Sequence, residues 1–220
     1  MKLVVFGATG ATGSHVVRLA AAAGWTVVAF VRSQAAQASL GGNPEVLIGD
    51  PTDRADVLKA VSGADAVAVC LGISRRTRSP FAALVTAPDF TSRAVAAIVQ
   101  VMRQEGVRRI VYISAFGAGD SWALTPWWGR AFIALSKIKV TMADHTRSEK
   151  VLAESSLDWT VLRPVLLDDT ASPLPAAPRR PGDPLLAKVP RESVARTIVR
   201  ILADRATYGQ AIALTRPRCS

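Results

Sequence analysis

Acidic residues are scarce in this chain: 17 Asp and Glu stand against 27 Lys and Arg, a net charge of +10. Cysteine is scarcer still. Cys70 lies in an apolar, strand-like run and Cys219 beside the last residue, so nothing suggests a disulfide framework and Cys70 reads as a small buried apolar residue. No Cys, His and Asp clustering suggests a metal site. No apolar run reaches the roughly 18 residues of a membrane span. Met1 leads straight into a strand-like segment without a signal-peptide pattern, so the expected location is cytoplasmic. Repeats and low-complexity tracts are lacking too. The basic surplus favours anionic partners. Only Arg75, Arg76 and Arg78 cluster tightly, and no helix-turn-helix, zinc-finger or RNP-like pattern accompanies the charge, which argues against nucleic acid.

What is present is an alternation of two periodicities. Short β-branched or apolar runs predict strands over 2–6, 26–31, 46–48, 66–71, 109–114, 159–162 and 210–215. Between them, helical patterns cover 14–23, 53–61, 89–105, 141–155 and 191–203, with Gly24 and Gly106 as stops and Thr52 or Asp53 as a cap. Strands alternating with helices at this spacing require crossovers. They predict one doubly wound α/β domain over 1–220, its parallel sheet carrying the wholly apolar 66–71 run near the centre. Two stretches break the rhythm. Residues 120–139 carry Trp122, Trp127 and Trp128 among basic residues, and 172–190 hold six prolines and are expected to be largely irregular. Both follow carboxyl ends of strands, where open α/β sheets bind ligands, so 120–140 and 166–190 are candidates for covering a substrate. Dimer contact and core packing are the other readings of the aromatic stretch.

The strongest signal is Gly7-Ala8-Thr9-Gly10-Ala11-Thr12-Gly13, set between the first strand and the first helix. A diphosphate approaching bare backbone needs glycine there, and the helix that follows offers N–H groups and a favourable dipole. Thr9, Ala11 and Thr12 are candidate contacts within the turn. At the end of the second strand, a carboxylate would accept the ribose hydroxyls of NAD; this chain carries Arg32 and Ser33, suited to the 2′-phosphate of NADP. NADP(H) is therefore expected over NAD(H). Leu71, Gly72 and Ile73 follow the fourth strand and are placed along the cofactor, and Arg75 is a further phosphate contact.

The Gly-x-x-Gly-x-x-Gly spacing resembles the extended and atypical short-chain dehydrogenase/reductase superfamily, and within it NmrA-like proteins and the biliverdin-IXβ/flavin reductase group. Further markers are Val31-Arg32-Ser33, Gly49-Asp50, Leu71-Gly72, Val111 to Phe116, Ser148 to Leu152, Asp158 to Pro164 and Val189 to Ala195. The resemblance implies a Rossmann-type fold, Asp50 beside the adenine, and Pro51, Ile113, Pro164 and Val165 as further cofactor-binding residues. It also implies that Ser114 faces nicotinamide and substrate, orienting a carbonyl or the cofactor amide.

The chain departs from the superfamily's catalytic pattern. A Tyr-x-x-x-Lys pair supplies the usual proton donor, its phenol made more acidic by the lysine. Counting back from Lys150 gives Thr146, and the group's later histidine corresponds to Leu166. Candidate catalytic residues are then Ser114, Lys150 as a ribose contact, and His145 as a proton shuttle. Carbonyl reduction is disfavoured. Hydride transfer to a planar conjugated acceptor (flavin, quinone or tetrapyrrole-like), which solvent can protonate, is expected. A non-catalytic NADP-sensing regulator and a tailoring reductase or epimerase of a polycyclic metabolite are the alternatives.

Overall fold

The computed structural model describes residues 1–33, 40–77, 79–184 and 186–217; Arg78 and Cys219 lie outside the described residues. The β-branched run after Met1 forms β1 (Lys2–Phe6), and the glycine turn leads into α1 (Gly13–Ala22). Then come β2 (Thr26–Val31), β3 (Glu45–Ile48), α2 (Arg54–Val61) and β4 (Ala66–Val69). The Asp53 carboxylate caps α2 by accepting from the N–H groups of Ala55 and Asp56. A long loop precedes α3 (Phe90–Gln104) and β5 (Arg109–Ile113). A 3-10 turn (Gly119–Leu124), α4 (Trp127–Leu135) and α5 (Ile138–Ala153) follow, then β6 (Asp158–Pro164). Short strands β7 (Leu166–Asp168), β8 (Ala177–Pro178) and β9 (Lys188–Pro190) lead to α6 (Arg191–Ile201) and β10 (Gln210–Thr215).

The main sheet has the order β3-β2-β1-β4-β5-β6-β10-β8, parallel except where β8 joins antiparallel to β10. The chain winds outward from β1 to β3, then returns to start the other wing at β4. That reversal separates the turns after β1 and β4 and opens a crevice between them. All four residues of β4 are buried, as a strand covered on both faces requires. Val4, Phe6, Val28, Phe30, Val67, Val69 and Tyr112 pack against α2, α3 and α5. Leu3, Val5, Val27, Ala29, Ala68 and Val111 face α1 and α6.

Every predicted strand and helix forms, within a few residues of its expected ends. Three differences matter. The aromatic stretch contains a helix, α4, none of whose residues is buried. Helix α5 starts earlier, at Ile138, because Ser136 ends α4 and its hydroxyl accepts the Ile138 N–H. The proline-rich stretch contributes β8, an antiparallel addition to an otherwise parallel sheet; Pro178 is tolerated because β8 is an edge strand.

One buried charge fastens the fold. Arg109, at the start of β5, donates to the carbonyls of Ile201 and Leu202 at the end of α6, to the Asp158 carbonyl, and to the hydroxyls of Thr160 and Thr207. Burial lowers its pKa to about 10. The guanidinium thereby satisfies carbonyls that a helix end leaves without partners.

Candidate functional site

The glycine turn owes its shape to what cannot fit. Gly7 has φ +78°, and a Cβ on it would stand 2.6 Å from the Cys70 carbonyl oxygen. A Cβ on Gly13 would overlap the Gly7 carbonyl, and one on Gly10 would stand 3.1 Å from it. The Gly10 N–H donates to that same carbonyl at 2.9 Å, which closes the turn. Helix α1 starts immediately behind, with no acidic residue in its first turn and no side-chain cap on its N-terminus. A helix end left in this state is suited to an anion.

Beside the turn is a cleft of about 280 Å³ between the ends of β1, β2 and β4. The expected residues Gly7, Thr9, Gly10, Arg32, Pro51, Leu71 and Gly72 line it together. Ala11, Thr12 and Gly13 lie behind, at the start of α1. Phe30, Val31, Cys70, Ser74 and Phe90 also line the cleft and were missed. Phe90 starts α3 far along the chain and reaches the cleft because α3 packs beside α2 and α5. The Arg32 guanidinium stands 6.0 Å from the centre of the Phe90 ring, a cation–π contact that holds it at the cleft mouth. Cys70 faces this space, but burial pushes its thiol up to about 12, so it remains a neutral apolar wall.

Other expected contacts stand outside that lining. Ser33 is exposed one residue beyond Arg32. Asp50 accepts the Thr52 N–H and hydroxyl, both at 2.8 Å, and so shapes the loop that presents Pro51. Ile73 is buried. Arg75 pairs through its backbone with Leu84, and its buried Nη1 has no hydrogen-bond partner among the described residues. Ile113, Pro164 and Val165 sit at the ends of β5 and β6; Ile113 lies opposite Leu162, and Phe116 donates its N–H to the Pro164 carbonyl.

Ser114 closes β5 at the same end of the sheet as the glycine turn. Its buried hydroxyl donates to Glu149 Oε1 at 2.5 Å. Glu149 is in turn held by Arg163, which donates from Nε at 3.1 Å and from Nη2 at 2.6 Å. The Arg163 Nη1 reaches Asp120 at 2.5 Å. The paired carboxylates offset the desolvation of this guanidinium and raise its pKa. Gly119, with φ +55°, passes so close that a Cβ there would overlap the Glu149 carboxylate. Glu149, Arg163 and Asp120 come from three elements, and no local pattern in the sequence connects them.

His145 is a buried residue of α5. Expected as a proton shuttle, it is buried on the face of α5 turned to the sheet, its Nδ1 2.5 Å from the Tyr112 hydroxyl. Burial lowers its pKa to about 4 and raises that of Tyr112, so both rings stay neutral near pH 7. Lys150 is exposed and stands 3.9 Å from Glu154, on an open groove with Thr146, Asp120 and Trp159. Thr146, in the place of the usual tyrosine, accepts the Gly119 N–H at 2.9 Å and donates to the Met142 carbonyl. It holds the 3-10 turn. Just beyond, an open apolar cleft of about 610 Å³ is lined by Gly117, Trp122, Ile133 and Met142.

A dinucleotide-binding turn at the reversal point of a doubly wound sheet defines the class, a Rossmann-type nucleotide-binding protein. The chain belongs to the NAD(P)H-binding family, whose model matches residues 7–205. It is 29% identical over 169 residues to an uncharacterized chloroplastic protein of Arabidopsis thaliana, covering 74% of this chain and 58% of that protein. The chain thus spans little more than half of that relative's length. Among solved structures it resembles the anaerobilin reductase ChuY of Escherichia coli O157:H7, with TM-score 0.79 and 24% identity over 100% of this chain and 99% of that one. A short-chain dehydrogenase/reductase of Veillonella parvula in complex with NADP gives TM-score 0.71 and 17% identity over 98% and 94% of the two chains.

Proposed function

We propose that the protein is an NADPH-dependent reductase that passes hydride to a planar conjugated acceptor such as a flavin, quinone or tetrapyrrole. The observation that carries this reading is the placement of three features at one end of the sheet: the glycine-turn cleft, Ser114 on its Glu149–Arg163 support, and the apolar cleft at Trp122. When bound, the dinucleotide supplies the hydride; the protein's part is to bind, orient and exclude water.

The residues around the glycine turn fit that cofactor. Bare backbone at Gly7, Gly10 and Gly13 and the uncapped start of α1 take a diphosphate. Phe30, Pro51, Leu71 and Phe90 offer apolar walls to an adenine. Arg32, with no carboxylate beside it in the cleft lining, favours the 2′-phosphate. The Nη1 of Arg75, without a hydrogen-bond partner among the described residues, belongs to a second guanidinium one residue along from the cleft residue Ser74 and suited to an anion.

Ser114 has its proton directed to Glu149, so its lone pairs are free to accept an amide N–H. It therefore orients; it does not protonate. With Thr146 occupied by the Gly119 N–H and His145 neutral in the core, the proton for the reduced acceptor comes from solvent. Flavins, quinones and tetrapyrroles tolerate that, because charge is delocalised over the reduced ring system. Trp122 provides an indole face for such a ring. The likeness to an anaerobilin reductase supports the tetrapyrrole arm of the proposal.

The diversion of Thr146 to a structural bond also favours a second reading, a non-catalytic NADP sensor. One experiment separates them. The protein is mixed with NADPH and flavins, quinones or linear tetrapyrroles, and loss of nicotinamide absorbance is followed. Acceptor-dependent consumption is expected. Tight nucleotide binding with no consumption across all three classes establishes the sensor instead.

A further inference from the structure

Helix α4 is apolar on its outer side and is covered by none of the described residues. Trp127 and Leu135 are each 81% exposed, and Trp128 and Phe132 lie between them on the same helix, also exposed. The patch extends beyond the helix. Phe81, 61% exposed, meets the Phe132 ring edge-on at 6.5 Å, and the Lys137 N–H donates to the Pro80 carbonyl. Val85, on the same loop, is 66% exposed. Two segments far apart in sequence thus form one continuous apolar surface. Inner side chains of the helix, such as Ile133, belong to the acceptor cleft; the outer ones do not.

The two segments that make this surface carry charge of a single sign. From Ala66 to Pro88 and from Ser121 to Ala143 the sequence holds no Asp or Glu. Exposed Arg76 stands on the Phe81 loop, and exposed Lys137 and Lys139 follow Leu135 directly. A second copy of this chain is a poor occupant, because a two-fold contact would bring the two basic rims together. An acidic protein groove matches the rim but does not call for tryptophan at its edge. Indole rings on an apolar helical face, flanked by lysine and arginine, match the boundary between headgroups and acyl chains of an anionic bilayer.

We propose that α4 and the Phe81 loop form a peripheral docking surface for membranes containing anionic lipid, with Trp127 and Leu135 entering the headgroup–acyl boundary and Lys137 and Lys139 contacting lipid headgroups. This goes beyond the reductase reading and does not depend on it.

The test is partition of the full chain onto phosphatidylcholine vesicles with and without phosphatidylglycerol, read by sedimentation and by the blue shift of tryptophan fluorescence. Binding is expected on the mixed vesicles and is weakened by salt. Lys137→Gln with Lys139→Gln lowers the partition coefficient by about five-fold per lysine. Trp127→Ser with Leu135→Ser lowers it by at least about ten-fold. Both pairs leave circular dichroism and NADPH binding unchanged, because none of the four residues packs in the core or lines the nucleotide cleft. Three results overturn the proposal: no binding to mixed vesicles at low salt, equal binding to neutral vesicles, or equal binding by the Trp127 and Leu135 pair. A wild-type dimer that this pair dissociates, without vesicle binding, assigns the surface to a second copy.

Discussion

The two halves of the site are made of opposite materials. On the nucleotide side, the working surface is backbone, and its capacity comes from side chains that are missing at Gly7, Gly10 and Gly13. On the Ser114 side, the working surface is side chain, and its geometry comes from a buried carboxylate clamped by a guanidinium. Missing Cβ atoms act locally, so the first half depends on a few consecutive residues. A buried ion pair depends on strands and helices arriving together. The difference predicts that damage to the two halves has different signatures.

The largest effect is expected at Glu149. Replacing it by Leu leaves Arg163 buried beside Asp120 alone, a loss of about 3–5 kcal/mol in stability. Urea denaturation measures it, and NADPH affinity of the surviving folded protein should change little. Glu149→Gln keeps an acceptor for Ser114 and loses less. A wild-type-like midpoint for Glu149→Leu would show that the ion pair is not what holds Ser114. Gly7→Ala is the matching test on the other half. Its left-handed backbone and the contact with the Cys70 carbonyl together cost about 3 kcal/mol. Calorimetry should find nicotinamide nucleotide binding lost, whereas Glu149→Leu retains it.

The buried His145 sharpens the comparison through pH. Its folded pKa, about 4, lies below the ordinary histidine value of 6.5, so the unfolded chain binds the extra proton between these values. Stability is therefore full above pH 6.5 and falls as pH drops towards 4, by at most about 3 kcal/mol. His145→Gln should flatten that part of the stability profile without changing hydride-transfer rates. A matching change in turnover would return His145 to the reaction. The smallest effect belongs to Arg32→Asp, which should shift relative affinity from NADPH towards NADH by about 10–100-fold, the worth of one or two charged hydrogen bonds. Unchanged relative affinities would show that Arg32 does not select the cofactor.

The legibility of the chain follows the same division. Strands, helices and the glycine turn were readable because each is written in residues close in sequence: alternating runs, caps such as Asp53, and steric needs such as that of Gly7. Helix α4 was not recognised, since its apolar residues face outward and mimic those of a lid or a core segment. Phe90 was missed because it starts a helix far from the cleft in sequence, and the burial of His145 was not legible because one position on a helix does not disclose which face is covered. Glu149 was noticed as part of a motif but given no role, for its partners sit on β6 and on a turn after β5.

By itself, then, the order of residues determined the alternation of strand and helix and the bare-backbone cradle, because both arise from steric and periodic rules that act over a few neighbouring positions. Folding in three dimensions decided which polar groups lost water and met: Ser114 with Glu149 and Arg163, and His145 with Tyr112. Burial and charge pairing are properties of space, and they depend on which distant segments the sheet brings side by side.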